Sequence, residues 1–132
     1  MNFKNYIRIK NEYGVDLSKV ARQISIDLYS QLTSKAQEGA DEDSIQLLGM
    51  ELLATAISAK VESFGYEKAI AIAQIIFEDK EELDMEKEED FDKIRLLLVN
   101  LEGYIVDQSV KAIDEMAKVM SDPNLIDQLK TK

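Results

Sequence analysis

From Asp16 onward the apolar residues recur at steps of three and four, and that period limits the fold more than any other feature of the chain. Leu17, Val20, Ala21, Ile24, Leu28 and Leu32, with Gln31 in the same row, share one face of a helix expected over 17–38. Asp16 stands where a carboxylate can accept from the free N–H groups of the first turn, and Gly39 closes the helix. Asp41 and Asp43 open a second helix, placing negative charge at its positive end. Its stripe, Ile45, Leu48, Leu52, Leu53, Ala56, Ile57, Val61 and Phe64, runs to a left-handed stop at Gly65. So little chain separates it from the next segment that a tight hairpin or one kinked rod is expected.

That next segment, YEKAIAIAQIIF, is apolar almost all round. Its Ala-Ile alternation imitates a strand, but no second strand of similar strength is there to pair its backbone. A buried helix from Tyr66 to about Asp79 is expected instead. Past an acidic stretch, Phe91, Ile94, Leu98, Leu101, Ile105, Ala112 and Met116 keep helical spacing, while Leu96, Leu97 and Val99 add apolar surface off that row. This helix is either the centre of the bundle or a subunit contact. The ends are less regular. Phe3, Ile7 and Ile9 alternate as in a strand, yet Phe3, Tyr6 and Ile7 also follow a helical step up to Gly14. Pro123, behind a cap at Ser121 or Asp122, begins a short final helix. Five Gly and one Pro in 132 residues leave little for loops. The expected architecture is all-α: a single domain over residues 1–132, a helical bundle of four long helices with short N- and C-terminal additions.

Charge divides the chain unevenly. Residues 1–37 hold six Lys/Arg against three Asp/Glu, residues 38–92 hold four against seventeen, and residues 93–132 hold six of each. Most of the excess lies in EDKEELDMEKEEDFD, Glu78 to Asp92, with ten carboxylates and two lysines. There is no His and no Cys. Cys-ligated zinc, iron–sulfur clusters, thiol nucleophiles and Ser-His-Asp triads are therefore excluded, and any metal would be a hard cation on carboxylates. No signal-peptide-like apolar run is visible in the first residues, and nothing approaches ~20 uncharged apolar residues. The expectation is a cytoplasmic protein without a membrane span.

Each constellation has to be weighed against a plainer use. An EF-hand calcium loop needs Gly at its sixth place; Asp41–Leu52 has Gln46 there and Glu78–Glu89 has Leu83. All-α nucleotide pyrophosphatases pair EExxE with a later ExxD. Glu81 to Asp84 supplies an ExxD, but no EExxE precedes it, and Glu51, Glu62 and Glu67 stand singly. A helix-turn-helix in LSKVARQISIDLYSQL is opposed by Gln31 at a place that should be apolar, and a net charge of -10 works against binding phosphate. No direct nucleic-acid binding is expected.

The acidic block remains, as a solvated connector or as a surface. Read as a surface, Glu78, Asp79, Glu81, Glu82, Asp84, Glu86, Glu88, Glu89 and Asp90 steer a basic partner and, if helical, imitate a phosphate backbone. Met85, with Leu83 and Phe91, is either the anchor of that contact or the point where the connector tacks back onto the bundle. Ile70, Ile72 and Ile76, together with Leu96, Leu97 and Val99, exceed what a small bundle buries easily, so self-association as a homodimer through them is expected.

The expected protein is a non-enzymatic binding, assembly or adaptor domain with a protein partner of basic character, no cofactor and no membrane contact. Two alternatives stand beside it. One is an acidic inhibitor of phage or plasmid type that blocks a nucleic-acid-binding groove; the other is a magnesium-dependent nucleotide pyrophosphohydrolase.

Overall fold

The structure, a computed structural model, describes residues 2–121; the short helix expected around Pro123 lies outside them. Among the described residues the chain is all-α, with five α-helices and no strand. These are α1 (Phe3–Tyr13), α2 (Leu17–Gln37), α3 (Glu42–Phe64), α4 (Tyr66–Ile76) and α5 (Phe91–Ser121). A single 3₁₀ turn, Glu88–Asp90, leads into α5.

Local chemistry sets the boundaries. The Asn2 side chain accepts from the Asn5 N–H at 2.8 Å, and Gly14, at φ +67°, returns its N–H to the Lys10 carbonyl. The ambiguous first residues are thus a capped helix, not a strand. Asp16 and Asp41 cap α2 and α3 as their positions suggest, accepting from the N–H groups of Lys19 at 3.1 Å and Ser44 at 2.7 Å. Gly65 turns the chain in one residue. Its φ of +83° is as expected, but its ψ of 152° takes it away from a left-handed helical stop into extended backbone of the opposite hand. The α3–α4 connection is therefore a corner. Helix α4 ends at Ile76, short of the Asp79 expected, where Glu78 adopts φ +54°.

Packing separates the residues expected at the dimer contact into buried and exposed ones. Helix α4 lies against α1, α3 and α5, while α2 packs on α3 and α5. Most of the buried apolar residues form one cluster, in which Ile9, Ile57, Ile72, Leu101 and Ile105 are fully enclosed. Because α1, α3 and α5 cover α4 within one chain, Ile70, Ile72, Ile76 and Leu97 are buried core residues in the single chain. Leu96 and Val99 differ: they are 60% and 55% exposed.

Helix α3 departs from the sequence expectation in another way. By length and composition it is apolar enough to cross a membrane, with Glu51 and Lys60 along it, and little of it is buried. One side reaches α2 closely: a Cβ on Gly49 would meet Leu32 at 3.4 Å. The other side leaves Leu47 and Met50 in the open.

Candidate functional site

The acidic segment is not a helix. Residues 79–87 form an irregular connection held by its own carboxylates. Asp79 accepts from the Glu81 N–H and Asp84 from the Glu86 N–H, each at 2.9 Å, and Asp90 accepts from the Asp84 N–H at 3.0 Å. Short Asp side chains reach a backbone N–H two residues on, which suits them to loops and unsuits them to helix interiors. Two ties fix the loop to the body. Gln74 of α4 donates to the Glu81 carbonyl at 2.7 Å, and the Lys93 ammonium of α5 bonds the Glu81 carboxylate, which holds that lysine's pKa above its ordinary value.

Glu78, Glu81, Glu82, Asp84, Glu86, Glu88 and Glu89 face solvent, while Asp79 and Asp90 are half-buried. The helical spacing that would imitate a phosphate backbone is absent. Among the described residues no group of three Asp or Glu stands close enough together to hold a metal ion.

The segment's apolar residues divide into two roles that the sequence left together. Leu83 is half-buried and packs against the core, so it is the tack. Met85 and Phe91 stay 41% and 47% exposed. They line a groove of about 300 Å³ with Tyr66, Ile94, Arg95 and Leu98, and Tyr66 itself is 67% exposed. Met85 also lines a second hollow, about 540 Å³, where Glu67, Asp84 and Glu86 stand among Ile70, Ala71 and Leu83. Met85 thus belongs to both an apolar groove and a hollow that carries three carboxylates.

Tyr66 and Arg95 were not recognised from sequence as parts of a site. Phe91, Arg95 and Leu98 lie at i, i+4 and i+7 of α5, a signal that one face of its first turns looks toward the loop. Tyr66 gives no such signal, because the corner at Gly65 brings it there. Chemically the arrangement offers apolar contact, carboxylates and one guanidinium. It offers a binding surface.

Comparison of the chain with models of protein families, with curated proteins and with solved structures finds no match.

Proposed function

We propose that this chain is a non-enzymatic protein-binding domain that docks a basic segment of another protein. One apolar side chain of that segment enters the Tyr66–Met85–Phe91 groove, and its Lys or Arg residues meet Glu67, Asp84 and Glu86 of the hollow that shares Met85. One observation carries the reading: three large apolar side chains from separate parts of the chain stand exposed around one groove. Carboxylates adjoin each in sequence, Glu67, Asp84 with Glu86, and Asp90 with Asp92. A charge-poor apolar centre inside a polar rim is the anatomy of a protein interface, and a few large side chains at its centre carry most of the affinity. The carboxylates act earlier, drawing a basic partner in over roughly a Debye length, ~8 Å at physiological salt.

Affinity capture from the source cell at low and high salt tests the reading. The wild type is compared with Met85→Ala/Phe91→Ala and with a variant carrying Asn or Gln at Asp84, Glu86, Glu88 and Glu89. The charge variant is expected to associate slowly and to lose its salt dependence. The apolar variant is expected to keep the salt dependence and release the partner faster. Capture that neither variant changes refutes the proposal, and turnover of a nucleotide with added magnesium would replace it with the hydrolase.

A further inference from the structure

Helix α5 carries a second apolar row on the side turned away from the core. Leu96, Val99, Gly103, Val106, Val110 and Ile113 alternate steps of three and four, the spacing of a heptad seam. The buried apolar residues of the same helix, Ile94, Leu97, Leu101 and Ile105, lie on the opposite side. Leu96, Val99 and Val110 are exposed, and a Cβ on Gly103 would meet nothing within 4 Å. Val106 is half-buried with one edge against the core, whereas Leu96, Val99 and Val110 are left to solvent.

We infer that the row is where a second copy of the chain docks, α5 against α5 in antiparallel order about a two-fold axis between Gly103 and Val106. Self-complementarity and charge point to that occupant and that direction. In this register Leu96 faces Ile113, Val99 faces Val110, and Gly103 faces Val106 of the second copy, each layer occurring twice, as a two-fold interface requires. The flanking heptad position holds Lys93, Asn100, Asp107 and Asp114, seven residues apart. Antiparallel pairing sets Lys93 beside Asp114 and Asn100 beside Asp107. Parallel pairing would set Glu102 beside Asp107 on both sides, two like-charge contacts and no opposite pair. Lys93 already holds Glu81 of its own chain, so Asp114 of the second copy becomes its second carboxylate.

The seam from Leu96 to Ile113 is about 27 Å long at ~1.5 Å per residue. A strip of that length and one helix wide covers well under the ~800 Å² per partner of a standard interface, so the dimer is expected to dissociate on dilution. No groove residue belongs to the row, so this inference can fail while the proposed binding function stands, and the reverse.

The full chain has no Cys, which makes thiol cross-linking a clean test. Sedimentation of the wild type between about 1 µM and about 1 mM is expected to show monomer passing to dimer, and Val99→Glu, at an exposed site, to weaken association at least about tenfold while helix content stays unchanged. Under mild oxidation V99C/V110C is expected to become a covalent dimer, and V99C alone is not. Monomer at every concentration overturns the inference. Cross-linking of V99C alone overturns the antiparallel register, because only a parallel pair brings the two Val99 positions together.

Discussion

Replacing Ile72 with Ala separates a helix that is core from a helix that is a subunit contact. Ile72 is 0% exposed in the single chain, enclosed where α4 meets its neighbours. The substitution removes an ethyl and a methyl group. At ~0.8 kcal/mol per buried carbon the transfer loss is about 2.5 kcal/mol, and the cavity left behind raises the cost to about 3–4 kcal/mol. That is a large share of the ~5–15 kcal/mol that holds a domain of this size together. The assay is urea unfolding, followed by circular dichroism, at two protein concentrations well apart. With a slope of ~1–3 kcal/mol per molar urea, the midpoint should fall by about 1–4 M, equally at both concentrations. Leu96→Ala, made alongside, should move it by no more than about 0.5 kcal/mol in equivalent stability at the lower concentration. A variant as stable as wild type when dilute, and weaker only in association, would refute the placement of α4 inside the subunit.

Gly103 inside α5 and Gly65 at the corner between α3 and α4 should respond in opposite directions to Ala. Gly103→Ala, in an open helical position, should stabilise by about 1 kcal/mol, whereas Gly65→Ala, at φ +83°, should destabilise by about 1–3 kcal/mol; thermal melts check both. Ser109 has a buried hydroxyl oxygen with no hydrogen-bond partner, so Ser109→Ala should leave stability unchanged or raise it by about 1 kcal/mol, read from the same melts. The hydroxyl of Tyr6 donates to the Asp16 carboxylate, and this bond is the main reason that the carboxyl lies below its ordinary pKa and the phenol above its own. The Asp16 contribution is present above the ordinary carboxyl range and lost as pH falls through the depressed value; the Tyr6 contribution is present below ~10 and lost as pH rises through the raised value. Tyr6→Phe should therefore flatten the stability–pH curve at both ends, measured by urea midpoints across pH. Leu83→Ala should release the acidic loop without unfolding the bundle, seen as faster hydrogen exchange at the Glu81, Asp84 and Glu86 amides and unchanged exchange in α5.

Much of the fold could be read from sequence, because its signals are local. Asp16 and Asp41 announce helix starts, Gly65 announces a break, and the all-round apolar character of α4 announces burial. What the pattern could not say is what does the burying. Helix α1 presents a mixed row in which Ile9 is fully enclosed, and without α1 in place the surface of α4 looks surplus. The dimer contact expected at Ile70, Ile72 and Ile76 came from that missing cover. In the acidic block a count of charge says nothing of conformation. The Asp79–Glu81 and Asp84–Glu86 spacings held the clue, since each puts a short carboxylate two residues before the amide that it binds. Leu83 and Met85 are alike in sequence context, and only the loop's path sends one inward and the other outward.

The methyl carbon of Met85 is the most direct reporter on the proposed binding function. With the methionine methyls labelled with carbon-13, Met50 serves as an exposed control on α3, 70% exposed and outside the groove. On titration with the captured partner, the Met85 resonance should shift and the Met50 resonance should stay where it is. A partner that binds and moves Met50 while leaving Met85 untouched would contradict the account.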